Sequence, residues 1–277
     1  MDKREPIHLG SGEPVLLLHP FLMSQNVWKN VAPRLADTGR YEVFAPTMAG
    51  HNGGPRGRSF LDSATLADHL ERQLDEIGWN TMHIVGNSLG GWVAFELERR
   101  GRARTITAIA PAGGWHRWSP TKFEIVGKFL AGAPVYAVVK VLKQRSLHLP
   151  FSRWFAHFPI SSTPEVLSDE DMLDILDNVA HCPAYYQLLL KALMLPGLME
   201  LAETRTPTHL VICEKDRVLP HPRFTKRFTT HLPETTEVTH VENVGHIPMF
   251  EAPDLVADLI RRFIDRHVEQ PRVDSAG

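Results

Sequence analysis

A serine set among glycines, Gly86-Asn87-Ser88-Leu89-Gly90-Gly91, is where residue type and spacing in this chain first point to chemistry. With 19 glycines and 12 serines in 277 residues, a chance G-x-S-x-G is expected about 0.06 times, so the match carries information. Its context matters more. The apolar run Met82 to Gly86 reads as a buried strand and Leu89 to Arg100 as a helix, which puts the serine on a strand-to-helix turn. Such a turn is too tight for a Cβ on either side, and it lifts Ser88 Oγ out of the sheet beside the unpaired Leu89 N–H and the positive end of the new helix. A serine hydroxyl is a poor nucleophile near neutral pH, so it needs a base whose tautomer and charge a third group controls. Two other strand ends supply candidates: His246 in Gly245-His246-Ile247-Pro248, and Asp216 after Val211-Ile212-Cys213-Glu214-Lys215. The strand ending at Ala110 is followed by Pro111-Ala112-Gly113 and offers no carboxylate.

The elements that must hold these residues alternate. Val15 to Leu18 reads as an uninterrupted apolar strand of the kind buried on both faces of a parallel sheet, and Tyr41 to Ala45, Met82 to Gly86 and Thr105 to Ala110, short runs rich in β-branched or bulky side chains, read as further strands. Helical spacing separates them near Val27 to Ala36, Ser63 to Ile77 and Leu89 to Arg100. From Ala112 to about Leu198 the pattern is helical, broken by prolines at 120, 134, 150, 159, 164, 183 and 196, with no convincing strand. Alternation then resumes: His209 to Cys213 as a strand, Pro222 to Thr229 as a helix, Thr235 to Val241 as a strand and Pro253 to His267 as the last helix. The expectation is one βαβ sheet interrupted by a helical insertion, with a core of residues 1–111 and 199–277 and an insertion of 112–198.

Taken together, the chain resembles the α/β-hydrolase fold, in particular its capped single-chain serine hydrolases. The resemblance rests on Leu16-Leu17-Leu18-His19-Pro20-Phe21, Gly50-His51-Asn52-Gly53, the turn at 86–91, Asp216-Arg217-Val218-Leu219-Pro220 and Gly245-His246-Ile247-Pro248-Met249-Phe250-Glu251-Ala252-Pro253, in family order over nearly the whole chain. It implies a mostly parallel central sheet flanked by helices with an inserted helical cap, and a nucleophile, acid and base at Ser88, Asp216 and His246. It also implies that the backbone N–H groups of Phe21 and Leu89 form the oxyanion hole. Two positions depart from the pattern: Pro20 where relatives carry glycine after the histidine, and Thr47 where they commonly carry aspartate. The first leaves the loop's shape open, a cis His19-Pro20 bond included; the second reads as structural.

More ordinary roles compete for several residues. His19 and His51 read as structural, Glu214 is the rival to Asp216 but lies nearer the strand, and Asn87 and Trp92 read as packing. Cys182 and Cys213 have neither metal-ligand nor redox spacing. The insertion holds 11 of the 23 aromatic residues in 87 of the 277 residues, and most must pack on the core. Trp115, Trp118 and Trp154 are the candidates for lining a substrate pocket.

Composition bounds the rest. A net charge of −2 offers no field for nucleic acid or an anionic membrane. No run of about 18 apolar residues is evident, Met1-Asp2-Lys3-Arg4-Glu5-Pro6 leads into no apolar stretch that would read as an export signal, and two cysteines fit a reducing cytoplasm. The expected function is hydrolysis of an ester or related acyl bond of a small apolar substrate through an acyl-Ser88 intermediate, without cofactor or metal. Ser88 at the turn disfavours the dehalogenases and epoxide hydrolases, whose nucleophile is aspartate. Carbon–carbon bond hydrolysis of ring-cleavage products, cofactor-free haloperoxidase or perhydrolase chemistry, and a slow-turnover ligand-binding or signalling protein are the alternatives. Oligomeric state is not legible.

Overall fold

The computed structural model describes residues 4–57, 60–142, 145, 160–198 and 200–268. Seven strands form one sheet: β1 (Ile7–Gly10), β2 (Glu13–Leu18), β3 (Tyr41–Ala45), β4 (Met82–Asn87), β5 (Ala103–Ile109), β6 (Thr208–Cys213) and β7 (Glu237–Val241). Their order is β1-β3-β2-β4-β5-β6-β7, and every pair is parallel except β1 with β3. The apolar runs are central: Val15, Leu16, Leu17 and Leu18 are fully buried between β3 and β4, as a strand covered on both faces must be. β1 escaped the sequence reading because an edge strand of Ile7-His8-Leu9-Gly10 with one partner has no continuous apolar run to announce it.

Helices flank the sheet. After a short 3₁₀ turn at Gln25–Trp28 come α1 (Ala32–Ala36), α2 (Ser63–Glu76) and α3 (Leu89–Arg99). The expected single helix over Val27 to Ala36 is thus split, because Pro33 can stand only in the first turn of a helix and starts a new one. Asp62 caps α2 by accepting the Thr65 N–H at 2.9 Å, with Thr65 returning the bond. Beyond β6, α7 (Lys226–His231) begins four residues later than the sequence suggested. α8 (Pro248–Glu251) and α9 (Pro253–Val268) close the chain, α9 burying Val256, Ala257, Ile260, Phe263 and Ile264.

Between β5 and β6 lie α4 (Pro120–Leu142), α5 (Asp169–Ala180) and α6 (Tyr185–Met194), with no strand among the described residues. By length and composition helix α4 is apolar enough to cross a membrane, although its apolar residues form no uninterrupted run. One face of it packs on the rest of the protein: Ile125 and Val126 are buried, and the Phe129 ring meets the Phe21 ring edge-on at 5.1 Å.

Burial of histidine has a measurable consequence. His51, His83 and His209 are each pushed from 6.5 to about 4, chiefly by desolvation. In the unfolded chain they protonate near 6.5, so the unfolded state takes up protons that the folded state refuses. Stability intact above that pH is therefore lost as pH falls from about 6.5 toward about 4, by up to roughly 3 kcal/mol per histidine. The melting temperature followed by circular dichroism should drop across that window, and His209→Gln, which can keep the bond to Thr239 without titrating, should make the drop shallower.

Candidate active site

Ser88 joins β4 to α3 in a conformation that L-residues rarely adopt, φ 54° and ψ −113°. The sheet over-determines it: its N–H donates to Ile109 O at 3.0 Å, and its carbonyl accepts from Ala112 N–H at 2.9 Å and Trp92 N–H at 3.1 Å. A Cβ on Gly86 would lie 2.2 Å from Gly90 O, and one on Gly90 would lie 2.3 Å from Leu18 O. Both glycines are therefore obligatory. Leu89 opens α3, so its N–H is one of the four that no helical carbonyl can meet.

His246 and Asp216, each 5% exposed, meet across the ends of β6 and β7: His246 Nδ1 lies 2.7 Å from Asp216 Oδ2. The other carboxylate oxygen accepts the N–H groups of Val218 and Leu219, both at 2.8 Å. With the acid held by two backbone donors, the histidine donates from Nδ1 and keeps its lone pair on Nε2. Glu214 points away, with its side chain half exposed and bonded to Asn243 N–H at 2.9 Å. Asn87, read from sequence as packing, links the two halves of the site: its Nδ2 donates to Ile109 O and to His246 O, each at 3.0 Å. No sequence pattern signals that bond, because its partner is 159 residues away.

The loop after β2 turns at Pro20-Phe21-Leu22-Met23, closed by a Met23 N–H to Pro20 O bond of 3.2 Å, with Leu22 at φ 67°. Strain here falls on Leu22, a position that glycine would occupy freely. His19-Pro20 is trans; among the described residues the cis bond is His221-Pro222. His19 accepts the Met48 N–H on Nε2 at 2.9 Å and so donates from Nδ1 to Pro20 O at 2.8 Å, tying this loop to the one after β3. Burial, with His51 alongside, holds its pKa well below the usual value and keeps it neutral. Thr47 bonds both the backbone N–H and the side chain of Gln25, a structural role for the residue that departs from the family pattern.

Phe21, Ser88 and Leu89 line one pocket together with Trp92, Trp115, Ile125, Val126, Phe129, Leu188 and Leu219, among other apolar side chains. Of the three tryptophans singled out by sequence, Trp115 is in this wall, buried and edge-on to Trp92 at 5.4 Å. Trp118 is 77% exposed on the turn before α4, under Arg117, and outside the pocket. It stands three positions after Trp115, enough to carry it off the core. Trp154 lies outside the described residues. Sequence reasoning missed Asp62 and Lys191, which form an ion pair of 3.2 Å in the pocket wall and neutralise one another. The cysteines are buried, and desolvation pushes Cys182 up to about 12 and raises Cys213 further, so neither supplies a thiolate. No group of three His, Cys, Asp or Glu side chains among the described residues could hold a metal ion.

Comparison with known proteins agrees with this architecture. A sequence model of the α/β hydrolase family matches residues 15–259. Epoxide hydrolase EphH of Mycobacterium tuberculosis is 62% identical over 205 residues, covering 74% of this chain and 96% of that protein. Soluble epoxide hydrolase of Corynebacterium sp. is 28% identical over 174 residues, covering 60% of this chain and 59% of that protein. Among solved structures, a thermophilic esterase from Thermogutta terrifontis superposes with a TM-score of 0.75 at 21% identity, covering 95% of this chain and 93% of that one. The seven-stranded, mostly parallel sheet and the extent of these matches lead to one conclusion: this chain is an enzyme of the α/β hydrolase family.

Proposed function

We propose that the protein hydrolyses esters of small apolar acids or alcohols through an acyl-Ser88 intermediate. The observation that carries this reading is the buried Asp216–His246 bond on a loop that Asn87, the neighbour of Ser88, holds by its backbone. Ser88 Oγ attacks the acyl carbon while His246 Nε2 takes its proton, and Asp216 stabilises the imidazolium. The N–H groups of Phe21 and Leu89 receive the oxyanion. Collapse expels the alcohol, which takes the proton from His246. Water then attacks the acyl-enzyme with His246 as base, and the acid departs. The helices between β5 and β6 act as the cap, α4 and α6 supplying Ile125, Val126, Phe129, Leu188 and Leu189 to the substrate pocket.

Epoxide hydrolysis is the second reading, favoured by the name of the 62% identical relative. Chemistry separates it from the first. A carboxylate nucleophile opens an epoxide to an ester that water can cleave, whereas a serine would leave an ether that the same machinery cannot. On this chain an epoxide would have to be opened by water, with His246 as base and Ser88 making no covalent bond. Ser88→Ala should therefore abolish fluorophosphonate labelling and lower ester turnover by several orders of magnitude. Equal labelling or equal ester turnover in the variant refutes the acyl-Ser88 route. Retention of epoxide hydrolysis by the variant establishes the second reading.

Replacing Asp216 by Asn should leave the fold intact and cost roughly 10²–10⁴ in kcat, since the amide cannot both hold the His246 tautomer and stabilise its cation. Glu214→Gln, at a side chain facing away, should change kcat by less than about twofold. Steady-state kinetics on one p-nitrophenyl ester decide between the two acids.

The pocket walls are apolar and their one charge pair is internally neutralised, so an unpaired substrate carboxylate would be desolvated without compensation. Each added methylene on a short acyl chain is worth about 0.8 kcal/mol, and kcat/KM should rise about fourfold per methylene until the pocket fills. Trp115→Ala should flatten that series. Trp118→Ala, at a surface residue, should leave it unchanged.

A further inference from the structure

Three consecutive residues carry the histidine loop, and each is tied down from a different place. Asn87 holds His246 O, Ile160 O accepts the Ile247 N–H at 3.1 Å, and Glu251 Oε2 accepts the Gly245 N–H at 2.5 Å. Glu251 ends α8, five residues after His246. Its other oxygen, Oε1, accepts two backbone donors from the stretch that leads into α5, Ser162 N–H at 2.7 Å and Thr163 N–H at 3.1 Å, and shares the single Ser162 hydroxyl proton, at 2.6 Å, with Asn243 O at 2.7 Å. That stretch lies directly on the histidine loop. A Cβ on Gly245 would come within 2.8 Å of Ile160 O and 2.9 Å of Ser161 Cα. One carboxylate thus grips, with separate oxygens, the backbone just before His246 and the backbone of the helical insertion where it leads into α5.

We propose that Glu251 is a positioning residue for His246: it fixes the Gly245 amide so that the imidazole stays aligned with Asp216 and Ser88, and couples that alignment to the seating of residues 160–163. The surrounding tethers make the role specific. Asn87 and Ile160 restrain the loop at and after His246; on its N-terminal side Lys215 N–H holds Val244 O at 2.9 Å, and the Gly245 bond is the tether adjacent to His246 itself. A carboxylate is the group suited to this place because all four partners are donors and each of its oxygens is an acceptor.

Glu251→Gln separates the two grips. Its single oxygen is drawn to the side with two backbone donors, leaving the amide NH2 facing the Gly245 N–H, donor against donor. The tether to 160–163 survives while the His246 side is pushed off. The expected result is a fall in kcat for a soluble ester of about tenfold or more, of the kind a small misplacement of a reacting group produces. KM should change by less than about twofold, with an equal fall in the rate of fluorophosphonate labelling. Ser162→Ala removes only the hydroxyl shared between Glu251 and Asn243 O and leaves the Gly245 bond and both backbone donors to Oε1 in place, so kcat should stay within about twofold of wild type. The His246 Nδ1–H proton resonance, followed by NMR in the full chain, should shift or broaden in Glu251→Gln and stay unchanged in Ser162→Ala.

The kinetic arm rests on the ester-hydrolase reading; the resonance does not. Recorded in a Ser88→Ala background, it reports the Asp216–His246 bond whether or not Ser88 is the nucleophile. Wild-type kcat in Glu251→Gln overturns the proposal. So does a fall in melting temperature and kcat with the Nδ1–H resonance unmoved, because that combination marks a residue that only stabilises the fold.

Discussion

Ser88 occupies a backbone conformation that costs about 1–3 kcal/mol in isolation, and the rest of the structure is arranged around holding it there. β4 cannot run straight into α3 unless the chain reverses within a residue, and that reversal needs Gly86 and Gly90 to let the strand, the helix and the neighbouring β2 come within van der Waals distance. The strain is carried by the sheet, through the bonds from Ser88 to Ile109, Ala112 and Trp92. A parallel sheet buried on both faces is stiff enough for this, and its strand ends bring residues 88, 216 and 246 to one edge although they lie far apart in the chain.

The electrostatics follow from the same packing. Asp216 is buried, so its charge must be met by hydrogen bonds, and the turn Val218-Leu219 supplies two N–H groups while His246 supplies the third donor. Around the pocket the opposite solution applies. Its charged wall residues, Asp62 and Lys191, cancel each other, and α4 and α6 contribute apolar side chains. Charge is concentrated at the Asp216–His246 pair and cancelled within the pocket wall.

Pro20 and Leu22 show how a departure from a family pattern can be absorbed. The ring of Pro20 fixes its own φ, and the turn still closes because Leu22 accepts the positive φ and is buried where its apolar side chain packs. Thr47 likewise replaces a carboxylate by a hydroxyl that bonds Gln25, so the two loops that flank Phe21 remain joined. The high identity to a protein named as an epoxide hydrolase sits beside a serine at the strand-to-helix turn.

Residue order alone determined the alternation of buried strands and helices, the turn at Ser88, and the places of Asp216 and His246. Each of these is written in local pattern: an apolar run, a glycine pair, a polar residue just past a strand. Other features depended on which distant segments meet. Asn87 could be told from a packing residue only when His246 O came to lie against it, and Glu214 could be set aside only when its side chain was seen to face solvent. Trp115 and Trp118 are the same residue type three positions apart, yet one is in the pocket wall and the other on the surface, because burial is a property of what packs opposite. The Glu251 clamp is of the same kind: four donors from two segments, more than eighty residues apart, converge on one carboxylate. Chain-local signals end with the element, and long-range hydrogen bonds have no period for a sequence to display.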